Sequence, residues 1–238
     1  MKILAIDASQ KTVSIAITMD HRVVTDIFIN NGRHHSEILM PAIEQAFRLA
    51  GLQCGEMDLF ALTIGPGSFT GLRIGAATIK GIALSTGKPV VGVSTLDALA
   101  FNLVHAENRM ICPMLDAQKN QIYTALYRIV SDTAVERIGK EEVVDVDRWL
   151  QSLDCDPLFL GDGALKYARR IQVHGSSACN LAEGHHHFVR APAVAVLASR
   201  RFDKGEQLDL LRFTPQYLRP SEAEIRVHLE TSNIDKSM

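Results

Sequence analysis

ILAIDASQKTVSIAIT (residues 3–18) returns later in the chain, altered but in the same order, as ICPMLDAQKNQIYTALY (111–127). Asp7-Ala8 aligns with Asp116-Ala117, and at that one offset Val13 meets Ile122, Ala16 meets Ala125 and Ile17 meets Leu126. Each copy reads as an apolar strand ending in Asp, a tight polar turn and a second, alternating strand. A weaker echo follows, LFALTIGPG (59–67) against LFLGDG (158–163), in which a strand leads into G-x-G and then a helix. Two echoes in the same order predict two similar α/β units side by side.

The intervening sequence fits. RVVTDIFI (22–29) extends the first meander, with turns at 8–11 and 19–22. In 35–50 the residues Ile38, Leu39, Ala42, Ile43, Ala46 and Phe47 repeat at helical spacing, and Gly51 suits a left-handed cap. Pro41 is expected to kink that helix or shift its start. A strand at 59–64, a glycine-rich turn, a helix over about 70–86, the strand in GKPVVGV and a helix in STLDALAFNLVHA (94–106) complete the first unit. The expected division is 1–106, a second and reduced unit over 107–225, and a flexible tail at 226–238. Two duplicated α/β domains, each a mixed sheet flanked by helices, resemble the actin, Hsp70 and sugar-kinase superfamily, whose members bind ATP between the halves.

Composition excludes several classes. The 238 residues have room for two units of roughly 100–120 residues. A 47% apolar and 22% charged chain with a net charge of −2 reads as globular, without a basic face for unaided nucleic-acid binding. Asp7 breaks the first apolar run before a signal-peptide core forms, and no run approaches a membrane span. Cys54, Cys112, Cys155 and Cys179 form no C-x-x-C pair and read as free thiols of a cytoplasmic protein without a membrane partner.

GPGSFTGLRIG (65–75) lacks the lysine of a P-loop, and its G-x-G-x-x-x-G spacing is one residue too long for a dinucleotide fingerprint. Ser68 or Thr70 suits a helix cap, and the helix start suits an anion. Asp7, Ser9, Gly65, Gly67, Ser68 and Asp116 therefore make a candidate vestigial nucleotide site, while the two aspartates fit turn capping equally well. Gly71 and Gly75 share a helix face that Thr78 continues, with Ile74, Ile79 and Ile82 nearby. Such a face packs either on its own sheet or on another molecule.

ILAIDAS, HSEILMPAI, GPGSFTGLRIG, KGIALSTGKPVVGVSTLDALA, LDAQKNQIYTALY, FLGDGA and PQYLRPSEAEI stand in the order found in the bacterial TsaB (YeaZ) family, over about residues 1–225. The resemblance implies a non-catalytic paralogue of TsaD, the enzyme that makes threonylcarbamoyladenosine at position 37 of tRNAs. It implies pairing with TsaD, joined by TsaE, through His35, Ile38, Leu39, Ile43, Gly71, Ile74, Gly75, Thr78, Ile79 and Ile82. It also implies a homodimer through the same surface without TsaD, and tRNA contact only through the complex. ATP and a TsaD-bound metal would belong to that complex, with no cofactor of this chain's own.

The histidine pair that holds the metal in TsaD aligns with Thr95 and Leu99, and the family's DAR is DAQ (116–118) here. That removes the metal ligands and a catalytic set, leaves a metallopeptidase as a poorer third reading that zinc content would decide, and weakens phosphate binding. The competing class is an ATP-dependent small-molecule kinase or hydrolase, motivated by Asp7, Asp116 and the G-x-G turns. His34 and His35 suit a partner contact or a solvated helix start, His185-His186-His187 read as adventitious metal binders, and 200–207 reads as a solvated helix end.

Overall fold

The computed structural model describes residues 1–106, 110–174 and 180–219. Strands β1 (Lys2–Asp7), β2 (Val13–Met19), β3 (Arg22–Ile29), β4 (Leu59–Gly65) and β5 (Val90–Ser94) form a five-stranded sheet in the order β3-β2-β1-β4-β5. The β1, β2 and β3 strands pair antiparallel, whereas β4 and β5 join in parallel. The second sheet, from β6 (Met110–Asp116), β7 (Gln121–Ser131), β8 (Ala134–Asp145) and β9 (Leu158–Leu160), has the order β8-β7-β6-β9. It is the same plan without the last strand, with β6 and β9 parallel. The repeat read from the sequence is thus a repeat of topology, one α/β plan built twice.

Both faces of the first sheet are covered, so its strands are apolar almost throughout. Leu4, Ile6, Ile15 and Ile17 face helices α1 (His35–Ala50) and α2 (Phe69–Thr86). Ile3, Ala5, Ala16 and Ala61 face the other way, onto α3 (Thr95–Phe101) and α7 (Ala191–Asp203). The alanines on both sides let α7 lie close to the sheet. That second core runs on without a break into Ile111, Leu115, Tyr127 and Leu160 of the second sheet. The outer face of the second sheet is covered by α4 (Val146–Gln151), α5 (Asp162–Lys166) and α6 (Ala168–His174).

Helix α1 starts at His35, ahead of Pro41, and runs through it to a left-handed Gly51. Pro41 is on the exposed side, where water can serve the carbonyl left without a donor. The helix expected over 94–106 stops at Phe101 and gives way to turns.

The larger difference concerns the division of the chain. Residues 191–203, expected to belong to the unit over 107–225, form helix α7, which packs on β1, β2 and β5 of the first sheet. Leu208, Leu210 and Phe213 then add to the core under α1 and α2. A shared helix and a returning tail close the first unit, so the two halves are not sequential blocks. The expected tail at 226–238 lies outside the described residues.

Candidate functional site

The first strand of each half ends at the same place, and the loops that follow enclose a cavity of about 310 Å³. Ser9 to Lys11 and Pro66 to Phe69 wall it from the first half, and Leu115 to Gln118, Tyr123 and Asp162 from the second. Residues Gln216 to Arg219 cross it. Of the nucleotide-site candidates, Ser9, Gly67, Ser68 and Asp116 line this cavity.

Asp7 does not. It is fully buried behind the turn, where its Oδ1 accepts from Ser9 Oγ (2.5 Å), Thr63 Oγ1 (2.6 Å) and the Ser9 N–H (3.2 Å). Its Oδ2 has no partner among the described residues. Burial pushes the carboxyl above the ordinary carboxylate range, against the pull of those three donors. This is the turn-capping role. A raised native pKa means that the folded state favours the protonated acid, so its contribution to stability is lost as pH rises through that pKa. Asp7→Asn is therefore expected to melt at or above wild type at pH 8 and to flatten the fall in melting temperature as pH rises above the ordinary carboxylate range. Asp7→Ala strands the three donors and is expected to cost about 2–4 kcal/mol. Thermal unfolding across pH checks both, and an Asn variant much weaker than wild type at pH 8 would refute the assignment.

Asp116 occupies the equivalent position on β6 but is more open. Its Oδ1 accepts the Gln118 N–H (3.0 Å), and its Oδ2 accepts Gln118 Nε2 (2.9 Å) and the Lys166 ammonium (2.7 Å). Asp162, at the start of α5, accepts the Asp116 N–H at 3.2 Å. Burial, with the Asp116 charge adding to it, raises the Asp162 carboxyl. Sequence reasoning missed Asp162, whose signal was its place inside the second G-x-G.

The glycines answer to the chain itself. A Cβ on Gly67 would strike the Ser9 carbonyl, and one on Gly71 the Ala8 carbonyl. Gly161 and Gly163 do the same with the Met114 carbonyl, so both G-x-G turns clasp the end of their own first strand. At Gly65 the group pressed close is the Gln216 carbonyl. Ser68 caps α2 through the Gly71 N–H (3.2 Å), and its own N–H donates to Ser9 O (2.7 Å). The close backbone approaches that a phosphate cradle needs are taken by protein carbonyls. The residues therefore do not fit the ATP that the fold family implies.

The ten partner-surface candidates divide. Ile38, Leu39, Ile43, Gly71, Gly75 and Ile79 are buried inside the chain, and this corrects their placement on a docking face. Gly75 lies over Ala8 and Ile6, which a Cβ would meet at 3.5 and 3.7 Å. An apolar stripe at helical spacing is what a helix turns toward its own sheet. His35, Ile74, Thr78 and Ile82 are half-buried, with His35 Nε2 3.3 Å from the Thr12 carbonyl. The face left outward carries Met40 and Pro41 on α1 and Ala77, Gly81 and Leu84 on α2. Gly81 has open space where a side chain would stand.

Thr95 and Leu99 on α3 are fully buried between the sheets. Among the described residues no group of three or more His, Cys, Asp or Glu is placed to hold a metal, and no helix is long and apolar enough to cross a membrane. His185 and His186 stack on one another, but His187 is a core residue. Its Nε2 faces the Ala182 carbonyl (2.8 Å) and its Nδ1 the Gly161 backbone (3.1 Å).

Comparison with known proteins gives the kinship. A relative from Bacillus subtilis (strain 168), tRNA threonylcarbamoyladenosine biosynthesis protein TsaB, is 30% identical over 95% of this chain and 97% of its own length. The chain belongs to the TsaB family. The protein of the same name from Escherichia coli (strain K12) is 27% identical over 94% of this chain and 96% of its own. A family model described as TsaD, tRNA N6-adenosine threonylcarbamoyltransferase, matches residues 25–227. Among solved structures, a Pseudomonas aeruginosa protein described as similar to peptidase YEAZ superposes with a TM-score of 0.79. It is 25% identical, over 92% of this chain and 99% of that one. This TsaB-family chain thus keeps the doubled fold, with its cleft lined in part by its own residues 216–219.

Proposed function

We propose that this chain is a non-catalytic subunit in the synthesis of N6-threonylcarbamoyladenosine in tRNA, a scaffold that pairs with TsaD and allows TsaE to join. The observation that carries the reading is near-full-length likeness to relatives named for that pathway. Thr95 and Leu99, aligned with the TsaD histidine pair, are buried in the core, which leaves catalysis to the partner. ATP and the metal then belong to the assembled complex, tRNA is met only there, and the site of action is the cytoplasm.

The pairing surface is the outward ridge of α1 and α2, with Met40, Ala77, Gly81 and Leu84 at its apolar centre and Ile74 and Ile82 at its flanks. Small residues at Ala77 and Gly81 let a partner helix come close. The same ridge serves a homodimer when TsaD is absent. The kinase or hydrolase reading needs turns that receive phosphate, and here those turns hold protein carbonyls.

The test is reconstitution from purified TsaD, TsaE, threonylcarbamoyl-AMP, ATP and unmodified tRNA. Omitting this chain is expected to reduce modified adenosine at least tenfold, a loss of about 1.4 kcal/mol or more in effective activation. Undiminished modification would remove the scaffold role. Tight ATP binding by the isolated chain, abolished by Asp7→Asn, would favour the kinase class.

A further inference from the structure

The segment after α7 is bound along its length. The Leu208 N–H donates to Val90 O on the edge of the first sheet at 2.8 Å. Lys80 of α2 donates to Phe213 O at 2.9 Å. The Gln216 N–H donates to Ile64 O at 2.7 Å, which seats the Gln216 carbonyl against Gly65. Tyr217 stacks on Phe69 with ring centroids 4.7 Å apart, and its hydroxyl accepts from Arg73 Nε at 3.1 Å. Two residues later the chain reaches the other half, where the Arg219 guanidinium donates to Ala117 O at 2.8 Å.

We propose that residues 213–219 are a strap that closes the mouth of the cleft in place of a nucleotide and ties together the two rims that the halves present there. The strap has a grip on each side. Gln216 and Tyr217 hold the glycine turn and the start of α2, and Arg219 holds the β6–β7 turn. Between them it crosses the cavity and forms part of its wall. Gly65 matches this role, since a side chain there would push the Gln216 carbonyl away. A covalent part of the chain is always present at the cavity, so one opening of its mouth is built in. The inference does not depend on which partner the α1–α2 ridge binds.

The experiment is hydrogen–deuterium exchange on the full chain with one grip removed at a time. Tyr217→Ala releases the first half and Arg219→Ala the second. Tyr217 is 36% exposed, and both variants are expected to fold, as circular dichroism will check. A strap makes each loss felt at the far end. Tyr217→Ala is expected to raise exchange about tenfold at 116–121, and Arg219→Ala to do so at 65–70. Loosening confined to the side that lost its grip would overturn the proposal. So would an increase spread over every strand, β3 included, because that reports general destabilisation.

Discussion

Ile79→Glu is expected to unfold the chain. Ile79 sits mid-way along α2 at 1% exposure, in the core with Leu4, Ile6, Ile43 and Leu62. Removing its side chain forfeits the burial of a large aliphatic group, about 1.5–3 kcal/mol. The carboxylate that replaces it would have no cation or donor in that core, so it must take up a proton or open the helix off the sheet. Together these exceed about 4–5 kcal/mol, comparable to the whole stability of an ordinary domain. Gly71→Ala belongs to the same class, because the new methyl would strike the Ala8 carbonyl, a backbone atom with nowhere to go. Circular dichroism melts of the purified variants check both. A cooperative, near wild-type transition for Ile79→Glu would mean that α2 presents another face to the sheet.

Leu84→Arg and Gly81→Arg are expected to do the opposite, leaving the fold intact and abolishing pairing. Leu84 is 62% exposed and Gly81 faces open space, so an arginine at either position stays hydrated in the free chain. Changes at such surface positions usually alter stability by about 0.5 kcal/mol or less. In a complex the same arginine would be trapped where small residues let a partner helix approach. Truncations at the centre of an interface cost about 2 kcal/mol or more, and a buried unpaired charge exceeds that. Loss of TsaD binding by at least about 100-fold follows, with loss of the homodimer in parallel. Titration with TsaD and light scattering of the isolated chain measure the two. Unchanged affinity in both variants would move the interface off this ridge.

The contrast between these pairs marks what the sequence could and could not convey. The strands of the first unit came through because an apolar run such as Ile3–Ile6, stopped by Asp7 and a polar turn, is local, and the ends of α1 and α2 because Gly51 and Ser68 carry their caps with them. The doubled topology was legible because the Asp-bearing turns survive in both copies. The face of α2 was not, because an apolar stripe with glycines four apart serves a sheet or a partner equally well. Gly71 and Gly75 turned inward for the sake of Ala8 and Ile6. Met40, Ala77 and Leu84 went unnoticed because exposure is set by packing, not spacing.

The candidate site divides in the same way. Ser9, Gly67, Ser68 and Asp116 line the cavity. Gln10 and Tyr217 do not announce themselves, since their roles depend on residues far away in the chain. Gln10 bonds the backbone at His187 and Val189, and Tyr217 bonds Arg73. His187 looked like a metal tract because its buried partners, Gly161 and Ala182, are brought to it only by the fold.

The return of α7 to the first sheet has a consequence for how the chain is made. Ile3, Ala5, Ala16 and Val91 are among the earlier residues to leave the ribosome, yet their cover, Ala191, Val194, Ala195 and Ala198, is among the later. During synthesis the part of that face which α7 covers therefore stays bare, with only α3 beside it, while the entire second half is translated. At about 5–20 residues per second that interval lasts several seconds. The first half is thus an obligate client of its own later sequence, and the period of exposure to aggregation or chaperone capture is fixed by gene order.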